Sequence, residues 1–223
     1  MLAEDSAAGA PSTAGEQQLS QQASGAPMSA EVETFKEMVA TGSSTSLKAI
    51  FFDFDSIISV GMVKNRRFIM AMDYNAELIQ SFTQDEREEN SGGLDRIRKY
   101  AQLLESLRSS GVQLYIISTG FKSVFGPLLD SVGLLRFFVD SQVFGQVEQM
   151  ARTGGCDKGK LIQQIMLANS WTHDEALFID DSEKNIASAR GVCQTYHIPQ
   201  PKEFGKHGMW DPHFEHIRQV AGL

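Results

Sequence analysis

A chain of 223 residues is long enough for one domain with a full apolar core. Its 42% apolar and 22% charged residues are ordinary for a globular protein, and no run nears the ~20 apolar residues of a membrane span. Of the formal charge of −8, −5 sits in the first 47 residues (Glu4, Asp5, Glu16, Glu31, Glu33 and Glu37 against Lys36), which leaves −3 on the rest and no basic block suited to nucleic acid.

Residues 1–28 are rich in Ala, Ser, Gly and Gln without apolar periodicity, so a disordered tail is predicted. Residues 29–47 read as a short helix, capped by Ser29 with Val32, Phe35, Met38 and Val39 on one face, followed by a Gly-Ser-Ser-Thr-Ser linker. A single domain is predicted over 48–223. Its short apolar runs, Ala49–Phe52, Val112–Ile117, Phe137–Val139, Ala176–Ile179 and Val192–His197, have the β-branched and aromatic content of strands buried on both faces. Helical patterns fill the gaps. One starts near Leu94, lines up Leu94, Ile97, Ala101 and Leu104, and stops at Ser109-Ser110-Gly111. Others follow Phe121, run from Lys158 to about Asn169, and run from Glu183 to Arg190. Strands alternating with helices predict an α/β fold with a mostly parallel sheet and helices on both faces. In such sheets ligands bind beyond the carboxyl ends of the strands.

Chemistry-bearing residues gather at those ends. The first strand leads into Asp53-Phe54-Asp55, two carboxylates that would repel unless a hard divalent cation lay between them. The second leads into Ser118-Thr119-Gly120, which offers hydroxyls and a flexible backbone. The fourth leads into Asp180-Asp181-Ser182, with Asn185 one helical turn on. Lys158 stands at a helix start, where an anion is also favoured. Singly, each has a structural explanation: a turn, a helix cap, a charge at a helix N-terminus, a solvated lysine. All four in order at the carboxyl ends of successive α/β units point to a site.

Taken together, Phe52-Asp53-Phe54-Asp55-Ser56-Ile57, Ile117-Ser118-Thr119-Gly120-Phe121, Asp157-Lys158-Gly159-Lys160-Leu161 and Phe178-Ile179-Asp180-Asp181-Ser182-Glu183 resemble the four motifs of the haloacid dehalogenase-like superfamily. The second is close in style to phosphoserine phosphatase-like members. Ile57 departs from the usual Thr or Val, keeping the β-branched shape without a hydroxyl. The resemblance spans about residues 48–198 and implies a Rossmann-like three-layer α/β/α sandwich. It implies a magnesium-dependent phosphomonoester hydrolase in which Asp53 is the nucleophile and Asp55 the general acid and base. Phosphate would be contacted by Ser118, Thr119, Gly120 and Lys158. Magnesium would be held by Asp53, the Asp55 carbonyl and Asp181, with Asp180 or Asn185 assisting. Asp55 argues against the dehalogenase branch, whose members usually lack this second acid.

Residues 59–90 exceed what a simple βαβ unit needs, and the resemblance implies a small cap there. A small lid suits an open site for a phosphorylated small molecule or a phosphoprotein, or one covered by a neighbouring subunit of a homo-oligomer. Arg66 and Arg67 read as a solvated pair, and the Met/Phe cluster around them as packing. Toward the C-terminus His213 and His216 lie three apart, yet an exposed helical end is favoured over a metal site; His197 reads as structural. Cys156 and Cys193 follow no metal or redox spacing, and the N-terminus lacks a secretory or transit pattern, so a cytoplasmic protein is predicted. Two alternatives stay open: a catalytically weak or inactive binding or regulatory protein on the same fold, and a phosphotransferase, which would want a larger cap to exclude water.

Overall fold

The computed structural model describes residues 46–60, 62–63, 66–67, 75–201 and 206–223. The predicted tail at 1–28 lies outside these residues, as does the helix and linker at 29–47 apart from Ser46 and Leu47.

The strands are β1 (Ala49–Phe52), β2 (Met62–Val63), β3 (Arg66–Arg67), β4 (Gln113–Ile117), β5 (Val143–Phe144), β6 (Ala176–Asp180) and β7 (Gln194–His197). The helices are α1 (Asn75–Gln80), α2 (Gln84–Asn90), α3 (Leu94–Ser109), α4 (Lys122–Ser131), α5 (Gln146–Thr153), α6 (Lys158–Asn169), α7 (Glu183–Ala189) and α8 (Asp211–Ala221). Five strands form one parallel sheet in the order β5-β4-β1-β6-β7, while β2 and β3 make a separate antiparallel ribbon.

Alternation along the strands builds two cores. Ile50, Phe52, Leu114, Ile116, Leu177 and Ile179 pack against α3, α4 and α8. Ala49, Phe51, Tyr115, Ile117 and Phe178 face the other way, against α6 and α7. The result is a three-layer α/β/α sandwich of the Rossmann-like kind. The chain works outward from β1 through β4 to β5, then returns to lay β6 on the other side of β1. That reversal opens a crevice at the carboxyl ends of β1 and β6.

Three local readings differ from the sequence pattern. Phe137–Val139 is not a strand: Leu135–Phe137 is a 3-10 turn that drops Phe137 into the core, and the residues paired with β4 are Val143 and Phe144. The span between Gly120 and Lys158 holds two helices rather than one; the second, α5, packs through Gln149 and Thr153 and leaves its apolar Val147 and Met150 exposed. Leu94 is half exposed, and the buried side of α3 is Arg96, Ile97, Tyr100, Leu103, Leu104 and Leu107. The helix stops where predicted, with Gly111 at φ +86°, a conformation glycine adopts without strain.

In the insertion, the described residues form the β2–β3 ribbon followed by α1 and α2. Thr83 caps α2 in a capping box with Glu86. No helix among the described residues is long and apolar enough to cross a membrane.

Candidate active site

The register of the sheet sets out the site. Phe52 pairs with Ile179 and Ile116, so the next residue, Asp53, falls level with Asp180 on one side and Ile117 on the other. The Asp53 amide donates to Ile179 O at 2.9 Å, the last bond of that ladder. The strand ends there, because the Asp53 side chain bends back onto its own backbone as a cap, accepting from Phe54 N at 2.7 Å. Asp55 therefore does not share a strand face with Asp53. It lies in a wide turn over Phe54–Ile58, closed by Ser59 N donating to Phe54 O at 3.0 Å, with Ser56 in the left-handed region at φ +59°.

Lys158 opens α6, whose cap is Asp157 accepting from Lys160 N at 3.0 Å. Its ammonium lies 2.8 Å from Asp53 Oδ1 and 2.6 Å from Asp180 Oδ2, and the lysine is 1% exposed. Both bonds to the Asp53 carboxylate fall on Oδ1, so Oδ2 is the oxygen with lone pairs to offer. Asp180 is fully buried and held from all sides: Ser182 N donates to Oδ1 at 2.8 Å, and Asn185 Nδ2 reaches Oδ1 at 3.0 Å and Oδ2 at 3.1 Å. Asn185 thus orients Asp180. Asp181 is partly exposed, with its carbonyl accepting from His197 Nε2 at 3.0 Å.

Electrostatics reflect this crowding. Burial raises the Asp53 carboxyl well above the ordinary range; Lys158 pulls it down, while Asp180 and Asp55 push it up. Asp55 rises to about 7, through burial first, with Lys158 opposing and Asp181 adding to the rise. Asp181 is raised by burial and by Asp180. For Lys158, burial works against the charge, but the two carboxylates outweigh it and raise the ammonium above its usual value.

Ser118 is fully buried one residue past β4. Its amide donates to Phe144 O at 2.9 Å and its hydroxyl accepts from Gly120 N at 3.0 Å. Gly120 is buried, with its carbonyl accepting from Gln146 N, whereas Thr119 is exposed. The structure brings Asp53, Asp180, Asp181 and Lys158 together at one edge, with Asp55 close enough to feel Lys158 and Asp181, and sets the Ser118 loop on the neighbouring strand end. Arg66 and Arg67 lie in β3. His213 and His216 pack their rings on Tyr196, His216 at 4.3 Å. Cys156 is exposed and Cys193 buried, both as free thiols.

Four further residues shape the site. Gln149 donates its amide to the Ser118 carbonyl, and Thr153 ties its hydroxyl to Gln149 O at 2.9 Å. Gly145 lies so close to the Ser118 loop that an added Cβ would be 2.5 Å from Lys122 N and 2.8 Å from Gly120 O. Arg96, 3% exposed, donates to the carbonyls of Ile57, Ile58, Ser91 and Met209 at 2.7–2.9 Å. The sequence signal for these was thin, since an amide, a hydroxyl, a glycine and an arginine in or beside helices have no distinguishing spacing.

Asp53, Asp180 and Asp181 each offer an oxygen within 4.8 Å of the others, the raw material of a cation site. Asp180 is already satisfied, which leaves Asp53 and Asp181 as the carboxylates with capacity to spare. The upward pull on Asp53, Asp55 and Asp181 reflects burial and crowded negative charge, which a hard divalent cation relieves through oxygen ligands. The donor set fits such an ion.

A model of the haloacid dehalogenase-like hydrolases matches residues 32–192. Among solved structures, the chain is similar to the HAD domain of the effector protein Lem4 from Legionella pneumophila (inactive mutant), with 15% identity, TM-score 0.49, and 79% of this chain and 95% of that one covered. It is similar to a HAD-superfamily hydrolase from Ehrlichia chaffeensis, with 14% identity, TM-score 0.49 and coverage of 80% and 98%. It is also similar to the cobalt-bound deoxy-D-mannose-octulosonate 8-phosphate phosphatase from Haemophilus influenzae, with 14% identity, TM-score 0.46 and coverage of 80% and 91%. No curated protein matches.

Proposed function

The chain belongs to the haloacid dehalogenase-like hydrolases, and from that premise we propose that it is a magnesium-dependent phosphomonoester hydrolase working through an aspartyl phosphate on Asp53. The observation that carries this reading is the buried ammonium of Lys158, ion-paired to both Asp53 and Asp180 at the β1/β6 crevice. A cation fixed beside a carboxylate nucleophile is what attack on an anionic ester requires.

In the first step a carboxylate oxygen of Asp53 forms a bond to phosphorus while the bond from phosphorus to the alcohol oxygen breaks. Asp55, raised to about 7, gives its proton to the departing oxygen. In the second step water attacks the phosphorus, Asp55 takes the water proton, and the acyl phosphate bond breaks to return Asp53 as carboxylate. Lys158 balances charge on the phosphoryl oxygens throughout, and the Ser118 hydroxyl donates to one of them. Thr119 and Gly120 would border the same oxygens. A magnesium ion held by Asp53, the Asp55 carbonyl and Asp181 would offset the repulsion between nucleophile and substrate.

Among its described residues the insertion forms a ribbon of two-residue strands and helices of six and seven residues, a small cap that supports an open site for a phosphorylated metabolite or a phosphoprotein. The two free cysteines support a reducing compartment, and we infer the cytoplasm.

The test is phosphate release from p-nitrophenyl phosphate by wild type and Asp53→Asn, with magnesium and with chelator. Release that needs magnesium and vanishes in the variant supports the reading. Full activity in Asp53→Asn would end it.

A further inference from the structure

The turn that carries Asp55 is held from outside by a segment remote in sequence. Ser56 is one of two non-glycine residues at positive φ among the described residues. The left-handed conformation costs an L-residue roughly 1–2 kcal/mol. Ser56 φ, together with Asp55 ψ of 129°, fixes the plane of the peptide between them, and that peptide carries the Asp55 carbonyl. Whatever stabilises the left-handed Ser56 therefore aims this carbonyl.

Residues 207–209 supply that support. Ser56 Oγ lies 3.2 Å from His207 Nδ1, while His207 Nε2 lies 2.9 Å from Pro201 O. A carbonyl only accepts, so Nε2 carries hydrogen, and Nδ1 is the nitrogen paired with the Ser56 hydroxyl. One residue on, an added Cβ at Gly208 would lie 2.6 Å from Arg96 Nη2 and 3.0 Å from Ser59 O, so glycine alone allows the segment to come this close. Gly208 N donates to Gln200 Oε1 at 2.8 Å. Met209 N donates to Ile57 O at 3.1 Å, and Arg96 joins Ile57 O to Met209 O through Nη2 and Nε. His207 and Met209 are thus bonded to the turn, and Gly208 between them lies against the arginine that anchors it.

We propose that His207–Met209 is a strap that positions the Asp55 carbonyl toward a divalent cation, with His207 as the positioning residue that holds Ser56 in its left-handed conformation. The inference rests on the metal assignment made above. It makes the C-terminal segment part of the metal site without lending it a ligand, as supporting partners commonly do around metals.

The experiment is a titration with manganese(II), an ion suited to the same oxygen donors, in which free ion is read by electron paramagnetic resonance. Wild type, His207→Ala, Ser56→Ala, Ser56→Gly and the double variants are compared, each first shown to be folded by its circular dichroism and melting curve. His207→Ala is expected to weaken manganese binding by about 5- to 30-fold, the equivalent of the left-handed cost. Ser56→Ala should weaken it at least as much. Ser56→Gly, free of the steric cost, should recover most of the affinity lost in Ser56→Ala, and His207→Ala should add little in either Ser56 background. Equal binding by wild type and His207→Ala overturns the strap, as does an undiminished His207→Ala effect in the Ser56→Ala background. A wild type that binds no manganese removes the metal assignment itself, and the strap's role falls with it.

Discussion

Lys158 places its ammonium 2.8 Å from Asp53 Oδ1 with 1% and 8% of the two side chains exposed. The same ammonium is bonded to Asp180 at 2.6 Å. One cation thus serves two buried carboxylates, and removing it strands both. Lys158→Met is expected to cost about 3–5 kcal/mol of stability and at least ~10²-fold in phosphate release. Asp180→Asn added to Lys158→Met should regain stability, since one stranded charge is gone, and no activity. Chemical denaturation and phosphate release measure the two separately; a double variant as unstable as Lys158→Met would contradict the account.

Gly159, next to that lysine, packs its helix against α7. A Cβ there would sit 2.2 Å from Ser188 O, a backbone atom unable to rotate aside. In an open helix, glycine to alanine is favourable by about 1 kcal/mol. Here the sign reverses, and Gly159→Ala should destabilise by about 2–3 kcal/mol. Because α6 must shift, Lys158 shifts with it and turnover should fall as well. A variant that melts higher than wild type would show that the two helices can part freely.

Arg96 donates to four backbone carbonyls and lies over the rings of Tyr100 and Trp210, at 5.5 and 5.2 Å. Burial lowers its guanidinium to about 10, with Tyr100 opposing, so it stays charged at neutral pH. Arg96→Met keeps much of the volume but orphans buried acceptors, at a cost of about 1–3 kcal/mol each before relaxation. Arg96→Lys should rescue little, since an ammonium cannot reproduce the planar fork. Equilibrium unfolding of both variants checks this; a lysine variant as stable as wild type would mean that charge alone suffices.

His213 gives a pH signature outside the cluster of Asp53, Asp180 and Asp181. Its Nδ1 accepts from Trp210 N at 3.0 Å at the start of α8, which only the unprotonated nitrogen can do. Burial lowers its pKa, with Arg96 and His216 adding to the shift. A depressed folded value means that the contribution to stability is present above about 6.5 and is lost as the pH falls through the lower folded value. The melting temperature of wild type should therefore drop between pH 6.5 and 5 more steeply than that of His213→Gln, whose Oε1 can accept without titrating. Parallel curves would remove His213 from the acid limb.

The apolar parts of the fold were legible because burial on both faces leaves a plain mark. The run Ala49–Phe52 needed no correction, and α3 and α6 began and ended where their patterns did. Phe137–Val139 misled because apolar character reports burial, and Phe137 is buried in a turn. The true edge strand, β5, has two residues and is too short to show a period. The acidic residues stood out by their place after strands, and Lys158 by its place at a helix start. Gln149 and Thr153 did not, since the apolar residues of their helix, Val147 and Met150, are exposed while its buried side is polar.

The clasp at the neck of the insertion has a consequence for how such a protein changes over time. Arg96 Nη1 donates to Ile58 O and to Ser91 O, each at 2.7 Å, and Val60 N donates to Asn90 O at 2.9 Å. The two ends of the insertion are pinned together whatever lies between them. Loop-closure entropy grows only with the logarithm of length, about 0.6 kcal/mol per doubling. A longer or shorter piece can therefore be exchanged between Val60 and Asn90 with little strain on Asp53 or Asp55. The clasp works as a socket: selection for new substrates can act on the piece plugged into it while the reaction centre is inherited unchanged.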